Sequence, residues 1–211
     1  MTRVLVGMTP SLEGYEVDKG SYESLSREVG GRVVLHNEDA FDSSPVFDVL
    51  VSSLPYSESS RFVEWLSSRK YDRAVLVLQE DFARKITAPP GSPVYRAVSV
   101  ISQASAETEI MSRVSRSSFE PQPRVNSCLV TMKWKRTLTG EEIAMIKRIF
   151  SQRRRTVKAA LKSLGMASAM STPDRQETLP LQCRVNKLRP QSVLAMVGVL
   201  DRAGRSSDGP T

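Results

Sequence analysis

Apolar, β-branched segments alternate with helix-patterned ones through about residue 90, and that alternation most limits what the chain can fold into. Residues 12–17 predict a short strand, and residues 19–29 a helix ended by Gly30-Gly31. Residues 32–36 predict a strand closed by the polar turn Asn37-Glu38-Asp39, and residues 46–52 a buried strand. Residues 58–68 read as a helix carrying Phe62, Trp65 and Leu66 on one face; a strand over 73–78 and a helix over 79–86 follow. Pro89-Pro90-Gly91 breaks the chain. Later strands are expected over 98–104 and 126–134, the second with Cys128, Val130, Met132 and Trp134 in alternation. This order predicts an α/β fold with a mostly parallel sheet covered on both faces. Such sheets take ligands beyond the carboxyl ends of their strands. Chemistry is therefore sought at Glu16 and Asp18, at Asp39, and over residues 53–56.

Beyond about residue 137 the pattern becomes helical. Thr139 and Glu142 fit a capping box, and Ile143, Ile146, Phe150, Val157, Leu161 and Leu164 recur at helical spacing around a turn near Ser151. A loop over 165–180 and a helix over 188–200, with Pro190 near its first turn, complete the segment. The predicted division is an α/β domain over 1–136, a small helical domain over 137–203 and a disordered polar tail over 204–211. Net charge is −6 over residues 1–60, +6 over 61–136 and +7 over 137–211, which points to a polyanion held by the later two thirds. Arg148, Arg153, Arg154, Arg155, Lys158 and Lys162 form the basic run; at helical spacing Arg148, Arg155 and Lys162 fall near one face, and so do Lys147, Arg154 and Lys158. A solvated helix face is the bland alternative. Cys128 and Cys183 make neither a disulfide framework nor a zinc signature, and the single histidine, His36, excludes histidine-pair metal sites. No metal is expected. Residues 1–7 are too short an apolar run for a secretory signal and no run reaches the roughly 18 residues of a membrane span, so a cytoplasmic setting is expected.

Ser53-Leu54-Pro55-Tyr56, at a strand's carboxyl end, suits methylation of an aromatic amine. Such an amine is a poor nucleophile because its lone pair is delocalised into the ring. Acceptors beside its hydrogens localise that pair, and an aromatic face holds the extruded base. Catalysis is then positioning and electrostatics, without metal or general base. An ordinary β-turn also accounts for a Pro-Tyr pair after a strand.

The chain resembles the small-subunit ribosomal RNA adenine dimethyltransferases (KsgA type), kin to the erythromycin-resistance methylases. The family's Asn-Leu-Pro-Tyr followed by Ser-Ser corresponds to residues 53–56 and Ser59-Ser60. Leu78-Gln79-Glu80 with Ala83-Arg84, and Pro90-Gly91-Ser92 with Tyr95, match two further stretches. The Phe-x-Pro-x-Pro-x-Val-x-Ser pattern is met by Phe119, Pro121, Pro123, Val125 and Ser127, and Phe-x-x-Arg-Arg by Phe150, Arg153 and Arg154, with Ala160-Leu161 behind. The resemblance runs in order from about residue 12 to 200.

It implies a Rossmann-like methyltransferase sheet that uses S-adenosylmethionine to methylate adenine amines of small-subunit ribosomal RNA. Glu16, Asp39, Ala40 and Ser53 would lie at the cofactor, Glu16 on its ribose and Asp39 on its adenine amine. Ser53, Leu54, Pro55, Tyr56 and Phe119 would form the catalytic set. Ser53 and the Pro55 carbonyl would face the target amine, Tyr56 would stack on the adenine, and Phe119 would supply a second aromatic. Bland alternatives are a solvated strand end for Glu16, an Asx turn for Asp39 and a core position for Phe119. Ser53 replaces the family's asparagine, and a hydroxyl reaches less far than an amide. The implied partner is small-subunit ribosomal RNA or the precursor subunit, met by a monomer. A non-catalytic assembly factor of the same descent is the rival expectation. Only 15 residues precede Glu16, where a Gly-rich strand–helix–strand would need roughly 25. The first βα unit is therefore expected to be missing from these residues, either because the start lies upstream or because part of the cofactor pocket is lost, with residues 3–7 as a remnant strand.

Overall fold

The computed structural model describes residues 2–9, 11–53, 55–167, 170 and 179–205. The chain separates into two compact units, Met1–Phe47 and Asp48–Thr211. Among the described residues, six strands form two sheets.

The first unit opens with α1 (Thr2–Leu5), a helical turn where a remnant strand was expected. A turn closes its own hydrogen bond, Val6 N to Thr2 O at 3.1 Å, whereas a strand needs a neighbour. β1 (Glu13–Tyr15) then pairs in parallel with β2 (Val34–His36), Gly14 lying opposite Leu35. Between them runs α2 (Lys19–Val29), over the expected residues. Asp18 accepts from Ser21 N at 2.8 Å and starts this helix; Gly30, at φ 56°, ends it in a conformation that a Cβ would strain.

The second unit carries a sheet in the order β3-β4-β6-β5. β3 (Val49–Ser53) and β4 (Arg73–Gln79) are parallel and joined through α3 (Ser59–Ser67). β6 (Ser127–Trp134) lies antiparallel between β4 and β5 (Ala106–Val114). The register sets Ala74 opposite Met132, Leu76 opposite Val130 and Leu78 opposite Cys128, and all six side chains are buried. Each fully buried leucine of this kind stabilises the fold by about 1.5–3 kcal/mol. The sheet is thus mixed, not mostly parallel. β5 was not expected because Glu107, Glu109 and Arg113 break its apolar pattern; it is an edge strand, where exposed charge discourages further pairing.

The other correction concerns residues 98–104. They belong to a helix, α5 (Ala97–Ser105), which follows α4 (Glu80–Ile86). A short apolar run is compatible with either state, and burial on all sides removes the amphipathic signal. α5 packs against α3 and α4, and against two later helices, α6 (Gly140–Phe150) and α8 (Pro190–Arg205). Its buried serines are satisfied: Ser99 Oγ donates to Lys85 O, Ser102 Oγ lies 2.9 Å from Thr108 Oγ1, and Ser105 Oγ 2.8 Å from Ser67 Oγ.

α6 (Gly140–Phe150) begins with the expected capping box: Glu142 N donates to Thr139 Oγ1 at 3.1 Å and Thr139 N to Glu142 Oε2 at 2.8 Å. α7 (Val157–Ser163) and α8 (Pro190–Arg205) follow. α8 continues through residues 201–205, beyond its expected end and into the expected tail; the tail from 206 lies outside the described residues. Tyr95 is fully buried, donates to Leu188 O at 3.0 Å and meets Phe150 edge-on, with ring centroids 5.6 Å apart. Two of the separate sequence motifs therefore touch in the core.

Candidate functional site

The acidic candidates lie at the carboxyl ends of β1 and β2. Glu16 N donates to His36 O at 3.0 Å, and Asn37 Nδ2 bonds Glu16 O at 2.8 Å and Val17 O at 3.2 Å, tying the two strand ends together. The half-buried Glu16 carboxylate is oriented by Asp18 N at 2.8 Å on Oε1. The bonds from Ser21 hold the Asp18 carboxyl below its ordinary value. Asp39 accepts from Phe41 N at 2.9 Å, and its carbonyl from Asp42 N at 3.0 Å. That is the Asx turn, and it fixes the direction of the carboxylate. Ala40 is half-buried within it. His36 stacks on Tyr15 at 4.5 Å, between Glu13 and Glu38. Two oriented carboxylates just beyond the ends of adjacent parallel strands offer acceptors suited to ribose hydroxyls and a nucleobase amine. The nucleoside part of S-adenosylmethionine fits that donor–acceptor chemistry.

In the second unit, Ser53 ends β3 opposite Val77 and is exposed. Leu54 lies outside the described residues. Pro55 is exposed, and its carbonyl accepts from Glu58 N at 3.0 Å, starting a 3₁₀ turn, Tyr56–Glu58, that leads into α3. A carbonyl has a second lone pair for another donor. Tyr56 is half-buried, with its hydroxyl 2.7 Å from Ser127 Oγ. Ser127 is 0% exposed and opens β6 opposite Gln79. This bond spans 71 residues and ties the Tyr56 motif to the one that ends in Ser127; sequence spacing gave no sign that Ser127 is the point of contact.

Phe119 is half-buried and follows a 3₁₀ turn, Arg116–Ser118, in the loop from β5 to β6. Among the described residues it makes no ring contact with Tyr56. Asn126 anchors this loop: its carbonyl accepts from Glu80 N at 3.0 Å and its Oδ1 from Arg116 N at 3.3 Å. Glu80 in turn accepts from Arg113 at 2.8 Å and Arg84 at 2.7 Å. The Arg113 bond, then that of Arg84, holds the Glu80 carboxyl below its ordinary value.

The basic run does not lie on one continuous helix. Phe150 ends α6 and Val157 begins α7, so Arg153, Arg154 and Arg155 occupy the connecting turn and the extrapolated common face with Arg148 and Lys162 is lost. Asn186 N donates to Arg153 O at 3.0 Å and Val185 N to Arg155 O at 3.0 Å, which holds that turn. Arg154, Arg155, Lys158 and Lys162 are exposed; Arg153 is half-buried. Arg148 donates to Leu164 O at 2.9 Å, at the end of α7. Burial, and then the guanidiniums of Arg153 and Arg154, lower the pKa of Arg96. Sequence spacing gave no sign that Arg96 faces this turn.

A family model described as "Ribosomal RNA adenine dimethylase" matches residues 1–202. "Probable ribosomal RNA small subunit methyltransferase A" of Thermococcus gammatolerans is 35% identical over 204 residues, covering 92% of this chain and 73% of that protein. The protein of the same name from Pyrococcus abyssi is 34% identical, covering 84% and 69%. Among solved structures, a dimethyladenosine transferase from Plasmodium falciparum superposes with TM-score 0.78 at 20% identity, covering 96% of this chain and 87% of that one. The 23S rRNA methyltransferase ErmE gives 0.65 at 24% identity, covering 95% and 86%. These superpositions establish the α/β methyltransferase fold.

Proposed function

Because this chain belongs to the ribosomal RNA adenine dimethylase family, we propose that it is the methyltransferase that modifies exocyclic adenine amines of small-subunit ribosomal RNA, using S-adenosylmethionine. The observation that carries this reading is the bond between Tyr56 and buried Ser127, which sets an aromatic ring beside a parallel strand's carboxyl end. When bound, the cofactor supplies a methyl group on a sulfonium, whose departing thioether is neutral. Glu16 and Asp39 hold its nucleoside part. The Ser53 hydroxyl and the Pro55 carbonyl accept from the target amine, which localises the nitrogen lone pair. Tyr56 stacks on the extruded adenine and Phe119 covers it from the β5–β6 loop. The helical segment 137–203 meets folded RNA through Arg148, Arg153, Arg154, Arg155, Lys158 and Lys162, where phosphate contact and shape dominate. Among the described residues no helix is long and apolar enough to cross a membrane. The reading places a monomer in the cytoplasm, acting on ribosomal RNA or the precursor subunit.

The test is methyl transfer from labelled S-adenosylmethionine to undermethylated small subunits. Tyr56→Ala removes a stacked base contact of about 1–3 kcal/mol. At 1.36 kcal/mol per tenfold, transfer falls by roughly 5- to 150-fold. Asp39→Ala weakens cofactor binding in calorimetry. Unchanged transfer in both variants refutes the reading. Tight subunit binding without transfer by the wild type supports the non-catalytic assembly factor instead.

A further inference from the structure

A cavity of about 420 Å³ opens at the carboxyl end of β4, between residues 79–81 and the β5–β6 loop at Arg116 and residues 124–126. We propose that it is a nucleotide site for the RNA strand beside the target adenosine, with Arg116 and Arg124 as its phosphate ligands. This inference rests on the methyltransferase reading.

Charge is the first support. Glu80 is already matched by Arg84 and Arg113. Arg116 and Arg124 are exposed, and their guanidiniums make no hydrogen bond or ion pair among the described residues. Two unspent guanidiniums at one cavity wall attract an anion, and their planar forks suit phosphate oxygens. The polar remainder of the lining fits a nucleotide better than bare phosphate. Asp81 accepts hydrogen bonds, and the Gln79 amide both donates and accepts, as a ribose hydroxyl and a base edge require.

Position is the second support. Asn126 lines the cavity, and the next residue, Ser127, bonds the Tyr56 hydroxyl. Gln79 lies opposite Ser127 in the ladder. The cavity therefore adjoins the ring on which the target base stacks. An extruded base stays in place only if the backbone beside it is held, which is the work of phosphate contacts. Asn126 keeps the loop in register with Glu80, so both arginines are presented from an anchored segment.

The experiment measures affinity for a short adenosine-containing single strand of RNA across a salt series, for the wild type, Arg116→Gln, Arg124→Gln and the double variant. Each lost phosphate contact on a single strand reduces the slope of log affinity against log salt by about 0.7. The expected slope is therefore shallower by about 0.7 in each single variant and about 1.4 in the double. Both side chains are exposed, so melting temperatures should match the wild type. An unchanged slope in the double variant overturns the site, as does a wild type that does not bind RNA. Methyl transfer by the wild type is scored separately on small subunits. Its absence refutes the catalytic reading, while the slope, which needs no turnover, still decides the nucleotide site.

Discussion

The bond between Tyr56 and Ser127 makes a prediction in which the two single variants are unequal. Ser127 is 0% exposed, whereas Tyr56 is half-buried. Ser127→Ala removes the partner of a hydroxyl that can still turn to water, so the cost is that of an ordinary hydrogen bond, about 1 kcal/mol. Tyr56→Phe keeps the ring but leaves Ser127 Oγ buried without its partner, which costs about 1–3 kcal/mol. The double variant loses the bond but strands no polar atom, so it should cost about 1 kcal/mol, close to Ser127→Ala alone. For a chain of this length each 1 kcal/mol lowers the melting temperature by roughly 2–4 °C. Denaturant unfolding of the four proteins provides the cycle, and its m-values check that the unfolding transition is unchanged. The coupling expected is about 1–3 kcal/mol. Additive single effects, or a costlier Ser127→Ala, would refute the claim that this bond positions the ring.

Two further outcomes follow from the titrating groups. The Glu80 carboxyl is held below its ordinary value of 4.5, chiefly by Arg113 and then by Arg84. A depressed carboxyl stabilises the fold above its unfolded value, and that contribution fades as pH falls through the folded value. Wild type and Glu80→Gln should therefore differ in stability at neutral pH and converge in acid; a constant gap would exclude the linkage. Burial, with the Glu80 charge adding to it, raises the Cys128 thiol above its ordinary value, whereas Cys183 is only half-buried. A thiol reagent read by mass spectrometry should label Cys183 first in the folded chain, and faster labelling of Cys128 would contradict the packing of β6.

Features that depend on neighbours a few residues apart could be read from the residue order alone. The extent of α2, its glycine stop, the capping box of α6 and the alternation of β6 are local, because a helix cap or a pleat is satisfied within a turn or a strand. The family was legible too, since its motifs keep their order and spacing. Features that needed the folded core involve groups far apart along the chain. Residues 98–104 became helical because α3, α4, α6 and α8 surround them, and an all-round apolar environment erases the period that would have told helix from strand. β5 was hidden because an edge strand needs no apolar face towards solvent. The arginines at 153–155 left the helix face when Asn186 and Val185 bonded the turn between α6 and α7. Tyr56 and Ser127, Glu80 and Arg113, and Arg96 and Arg153 lie too far apart in sequence for any periodicity to relate them. Their pairings exist only once the core has closed, because hydrogen bonds and charges act over a few ångströms and only packing brings such distances about.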